Sequence, residues 1–135
     1  MSYRVVATTS AVVSVVFGLP MLAFPDAIGA FYGVHADTTA LFAGRMLAGS
    51  YLGYAIVNFL SRDSAEAATR RAVAAGNAFA WAAGLAVSAY AQVQGLANGV
   101  GWTTVALQIV FIAAWVSTYS AQRDARSVPQ HAAAR

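Results

Sequence analysis

Four stretches, about residues 5–23, 40–60, 71–91 and 100–119, are each about twenty residues long and almost wholly apolar, and they constrain this chain more than any other feature. A helix of about twenty residues, rising about 1.5 Å per residue, spans the roughly 30 Å hydrocarbon layer of a bilayer. Apart from Arg71 at the first position of the third stretch, Arg45, in the second, is the one charge inside any of these runs. The reading is an all-α, antiparallel four-helix transmembrane bundle occupying residues 1–122, with a polar tail at 123–135. Composition agrees: 59% of the residues are hydrophobic and 10% charged, against about 45–50% and 25% in soluble domains. The expected solvent is lipid.

The first stretch ends against Pro20 and Pro25, and Ser10, Ser14 and Gly18 recur every four residues along it. Such a ridge of small side chains lets a neighbouring helix backbone come close, which is how helices pack where lipid offers no hydrophobic drive. A cleaved signal peptide is the rival reading, with Arg4 as its basic region and Ala30 at the cleavage site. Its apolar core would exceed the usual 7 to 15 residues.

Between the first two spans, Pro25 and Asp26 are suited to opening a short helix and Gly33 to closing it, with Ile28, Phe31 and Tyr32 on one side. That piece should rest at the membrane interface. Asp37 or Thr38 should cap the second span. Residues 61–71 form the one dense run of charge and must be in water. In the third span Gly76, Ala80, Gly84 and Ser88 again stand four apart, and Arg123, Asp124 and Arg126 should stop the fourth span.

All eight basic residues are arginines. Arg4 flanks the first span, Arg62, Arg70 and Arg71 lie in the middle link, and Arg123, Arg126 and Arg135 lie in the tail, while the two remaining loops hold none. The positive-inside rule therefore places both termini and the middle link in the cytoplasm. The net charge of +3 is scattered, so no basic face for nucleic acid is expected.

Three helices carry a polar and aromatic stripe: Tyr51, Tyr54 and Asn58 on the second, Asn77, Trp81, Gly84 and Ser88 on the third, Thr104, Gln108, Phe111, Trp115 and Tyr119 on the fourth. Together they predict a shared interior. Matching depth by helix rise predicts two interhelical hydrogen bonds, Tyr54 with Asn77 and Tyr51 with Gln108. The stripe reads either as structural glue or as the lining of a small amphipathic site for a lipid or quinone. Arg45 lies close enough to its helix end to snorkel, to pair with Asp26 or Asp37, or to meet an anionic ligand. Candidate ligand-binding residues are thus Arg45, Tyr51, Tyr54, Asn58, Asn77, Trp81, Gln108 and Trp115.

Catalytic and metal residues are harder to nominate. Cysteine is absent, which removes thiolate metal sites and thiol redox chemistry. Neither histidine, His35 or His131, lies in a span, so haem within the bundle has no axial ligand; His35 with Asp37 is a weak acid–base or metal pair. Paired intramembrane carboxylates are missing, and Gly49 and Gly53 make a helix-packing pair rather than a phosphate cradle. No cofactor is expected, and the chain leans away from catalysis.

Phe24-Pro25, Gly44-Arg45, Leu52-Gly53, Asn58, Arg70-Arg71 and Asn77, in that order, resemble the pattern of small bacterial four-helix inner-membrane proteins and, more distantly, the DoxX-like group. The resemblance implies a four-helix bundle in the bacterial cytoplasmic membrane and, for some DoxX-like proteins, a link to quinone-dependent oxidation. No catalytic residue is carried over, because no matching active-site motif is present. The leading expectation is an accessory or scaffolding component, packing through its small-residue faces against itself or a larger membrane complex. The alternative is a protein that binds or carries a lipid or quinone, as accessory to a quinone-linked oxidoreductase.

Overall fold

The computed structural model describes the backbone of residues 2–127 and the side chains of residues 2–122. Five helices follow in order: α1 (Tyr3–Ala23), α2 (Pro25–Phe31), α3 (Thr38–Ser61), α4 (Ala67–Val93) and α5 (Gly101–Ser127). Four of them are long and apolar enough to cross a membrane, and α2 is the expected short helix between the first two.

Local chemistry sets the ends. Ser2 Oγ accepts the Val5 N–H at the start of α1, and Asp37 Oδ1 accepts the Ala40 N–H at 2.8 Å at the start of α3. These bonds satisfy donors that the first helical turn leaves orphaned. Pro25, with no N–H to lose, opens α2. Gly33 at φ +72° and Gly95 at φ +67° end α2 and α4 in left-handed turns that a side chain would strain. The two turns are tied together: Asn98 N–H donates to the Tyr32 carbonyl, and its side-chain Nδ2 to the Phe31 carbonyl at 2.9 Å.

At the C-terminal end the helix outlasts the candidate span, which runs Gly101–Gln122. Arg123, Asp124 and Arg126 do not stop α5, which continues to Ser127. Charge obliges a helix to leave the lipid but not to unwind, and arginine and alanine are good helix formers. Similarly, α4 begins at Ala67, inside the charged link, and includes Arg70 and Arg71. The rest of the predicted tail, with His131, lies outside the described residues.

The helices form two close pairs, α1 with α3 and α4 with α5, while α3 meets α4 and α1 meets α5 only locally. Gly18 sits directly against Leu52 and Tyr51, and Gly84 against Gln108. The buried set is largely small or polar (Ala7, Ser10, Ala11, Ser14, Ala48, Ala55, Ala74, Asn58, Asn77 and Gln108), with a few large side chains, Tyr3, Val6, Val105, Phe111 and Trp115, among them. The outside carries the bulky apolar residues, with Val16 61%, Phe42 65%, Leu60 74% and Phe79 76% exposed. In water this distribution would be a recipe for aggregation. Lipid is as apolar as leucine and so exerts no pull to bury it. The chain is an integral, multi-pass membrane protein.

Candidate functional site: the polar spine of the bundle

The interior is organised by one face of α5. Thr104, Gln108, Phe111 and Trp115, spaced four, three and four residues apart, lie on that face, and each meets a different partner. The Thr104 hydroxyl shares a 2.9 Å hydrogen bond with the Tyr32 hydroxyl, from the end of α2. Gln108 Nε2 donates to Ser88 Oγ on α4 at 3.1 Å. Phe111 stacks on Trp81, centroids 4.6 Å apart and planes 9° from parallel. Trp115, fully buried, donates its Nε1–H to Ser10 Oγ on α1 at 3.0 Å and takes the Tyr3 ring at 72°, edge to face.

Beside this spine, α3 and α4 are joined by a reciprocal amide pair. Asn58 Nδ2 donates to Asn77 Oδ1 at 2.9 Å, and Asn77 Nδ2 returns a bond to Asn58 Oδ1 at 2.8 Å and another to the Val73 carbonyl. Asn58 is 0% and Asn77 4% exposed. In a dry interior an unpaired amide is costly, so each residue supplies what the other requires. Nearer the arginine-rich end, Tyr3 OH donates to Ser61 Oγ at 2.9 Å, fixing the start of α1 to the end of α3.

The residues singled out in the sequence therefore divide. Asn58, Asn77, Trp81, Gln108 and Trp115 line the interior. Tyr51 is half-buried, with its Cβ packed where Gly18 leaves room. Tyr54 and Arg45 are exposed on α3. Neither expected hydrogen bond is present: Asn77 pairs with Asn58, one helical turn beyond Tyr54, and Gln108 pairs with Ser88 rather than Tyr51. Among the described residues Arg45 makes no ion pair with Asp26 or Asp37, and the Asp37 carboxylate is occupied as the cap of α3.

Sequence reasoning missed two members of the interior. Ser10 reads as part of a packing ridge, yet its hydroxyl also accepts from Trp115. Tyr3 lies before the span expected at residues 5–23, yet it is 7% exposed within the core. The available signal was spacing, since Tyr3, Ala7, Ser10, Ser14 and Gly18 share one α1 face.

Chemically, the spine is neutral. Among the described residues no three His, Asp or Glu side chains come together to hold a metal ion. One polar atom stands out: Gln108 Oε1 is buried without a partner. Exchanging the amide's oxygen and nitrogen transfers the orphan to the nitrogen, so one end of this amide lacks a protein partner either way. The chain matches no protein-family model, no curated protein and no solved structure.

Proposed function

We propose that this protein is a non-enzymatic accessory or scaffolding subunit of the bacterial cytoplasmic membrane, both termini cytoplasmic, which binds a second membrane helix through the outer face of α3. One observation carries the reading. Phe42, Met46, Gly49, Gly53, Ile56 and Leu60 follow one another at alternating spacings of four and three, all exposed on one side of α3. That is the spacing of a helix–helix seam. Nothing lies within 4 Å of where a Cβ would stand on Gly49 or Gly53. A glycine in mid-helix costs roughly 0.5–1 kcal/mol relative to alanine, and these two gain no contact within the chain in return. A neighbouring helix approaching the notch would recover it through close backbone packing.

The test uses the chain's lack of cysteine. A single Gly53→Cys variant, oxidised in native membranes, should form a disulfide with the same cysteine of a second copy or, labelled there with a thiol-reactive photocrosslinker, should attach to a partner protein. Mild-detergent extraction of the unaltered protein should give a particle larger than the monomer, reduced by Gly49→Leu with Gly53→Leu. A bare monomer that cross-links to nothing would end this reading. The orientation is tested separately by a reporter fused after α5, which should be active only in the cytoplasm.

A second reading rests on the orphaned amide end of Gln108: a lipid or quinone whose polar group enters the interior. It requires that Gln108→Leu abolish retention of that molecule in native mass spectrometry.

A further inference from the structure

We infer that the groove between α1 and α3 seats an acyl chain of an anionic phospholipid whose headgroup is held by Arg62 and Arg4. The groove has a volume of about 490 Å³, and no polar atom faces it. Ala11, Val12 and Val16 form its α1 wall, and Ile56, Phe59 and Leu60 its α3 wall. An open apolar slot in a bilayer fills with hydrocarbon, so the question is which lipid it selects.

The selection lies at the mouth. Phe59 and Leu60 are in the last turn of α3, and the Arg62 guanidinium lies over the Phe59 ring, 3.5 Å from its centroid. Asp63 holds two guanidiniums at once, Arg62 Nε on Oδ2 at 3.2 Å and Arg4 Nε on Oδ1 at 3.1 Å. Both contacts use the side nitrogen Nε. Arg62 Nη1 is unpaired but covered by the protein itself, so Arg4, whose side chain is 71% exposed, offers the open terminal nitrogens that fit a phosphate, with Arg62, 26% exposed, beside it.

The surrounding charge favours an anion. Arg70, its Nε engaged by the Ser64 carbonyl, and Arg71 lie at the same end, so four guanidiniums face two carboxylates, Asp63 and Glu66. The opposite end carries Asp26, His35 and Asp37, with no arginine in its loops. A second outer groove, between α1 and α5, has Thr9 and Ser117 as its polar neighbours, and no charged side chain among the described residues lines it. Among the described residues, apolar slot and arginine pair coincide between α1 and α3. A zwitterionic lipid offers the same phosphate but brings an ammonium towards the arginines; an anionic lipid does not.

Ile56 and Leu60 border both this groove and the α3 seam, so the experiment uses the α1 wall and the arginines. The purified protein in mild detergent is given equal amounts of palmitoyl-oleoyl phosphatidylglycerol and phosphatidylcholine, and bound lipid is counted by native mass spectrometry. The unaltered protein should prefer phosphatidylglycerol, by about fivefold for each arginine that contacts it. Arg4→Gln with Arg62→Gln should bring the two lipids to parity, whereas Arg70→Gln with Arg71→Gln, which removes surrounding charge but neither contacting arginine, should weaken the preference and not abolish it. Val16→Trp, at an exposed position that fills the slot, should lower retention of both. Circular dichroism and elution volume must match the unaltered protein in each case. Equal retention by the unaltered protein, a preference that survives loss of Arg4 and Arg62, or undiminished binding to Val16→Trp would overturn the inference. Each of these leaves the oligomeric state, and so the scaffold reading, untouched.

Discussion

Helices α1 and α3 touch in one way, and the two helix pairs touch each other in another. Within the α1–α3 pair the contact is by shape along most of its length, with one directed bond, Tyr3 to Ser61, at the end: Gly18 sits against Leu52 and Tyr51, with Ala11, Ser14, Ala48 and Ala55 buried along the pair. Between pairs the backbones stand further apart and the contact is by directed groups, Asn58 with Asn77 and Trp115 with Ser10 and Tyr3. In water both kinds would be supplemented by hydrophobic burial. In lipid that term is absent, and each interface has to hold by its own means. The two should therefore fail in opposite ways, the first when atoms are added and the second when they are removed.

The largest effect is expected from Trp115→Ala. It empties a fully buried site and strips Ser10 and Tyr3 of their partner, with a loss of about 3–5 kcal/mol by analogy with large-to-small core changes. Unfolding in a graded detergent series should show this directly, and Trp115→Phe should lose much less, because the ring contact survives. An equal loss from both would assign the energy to the hydrogen bond.

Next in size is Gly18→Leu. Its Cβ alone would come within 3.0 Å of Leu52 Cδ2 and 3.2 Å of Tyr51 Cβ, and overpacking of this kind costs about 1–3 kcal/mol. Leu52→Ala in the same chain should restore part of the loss. Failure to rescue would place the strain in the backbone rather than at this contact.

Asn58→Leu should cost about 1–2 kcal/mol, because it leaves Asn77 buried and half-satisfied. The double change Asn58→Leu with Asn77→Leu should recover much of that, since no orphan remains. A double variant worse than the single one would mean that the amide pair holds the helices together rather than merely satisfying itself.

This division also explains what could be read from the residues alone. The Asp37 cap and the Gly33 turn depend on chemistry within a few residues, and the interior face of α5 depends on helical period; all three are legible in one dimension. Partner choice is not. Asn58 and Tyr54 differ by about 40° around α3 at about 100° per residue, and that small rotation decides that Asn58 meets Asn77 while Tyr54 stays exposed. In lipid no hydrophobic pattern selects the rotation, since apolar residues are equally at home inside and out. Small-residue ridges are ambiguous for the same reason: Gly18 and Gly84 are used within the bundle, whereas Gly49, Gly53 and Gly76 have nothing within 4 Å. A ridge shows that a helix can be approached closely, not which helix does so.

The smallest effect should come from Gln108→Leu, and it tests the comparison where it is least clean. Gln108 lies within the α4–α5 pair, so by the rule above its contact should be one of shape, yet it donates to Ser88. Shape has a strong claim: Gln108 Nε2 would lie 2.9 Å from a Cβ on Gly84, so the glycine is what admits this side chain. The hydrogen bond has a weaker one, because the other end of the amide is buried without a partner and that desolvation offsets the gain. Leucine keeps a branched chain over Gly84 and removes both polar ends, and the freed Ser88 hydroxyl can turn to a carbonyl of its own helix. Stability should change by less than about 0.5 kcal/mol, within the average worth of such bonds in a membrane protein. A loss well above that would mean that the α4–α5 pair is held by a directed bond well inside the helices, whereas α1–α3 has its own at the helix end, Tyr3 with Ser61. It would also mean that a molecule supplying the missing donor completes the site, the outcome on which an interior ligand depends.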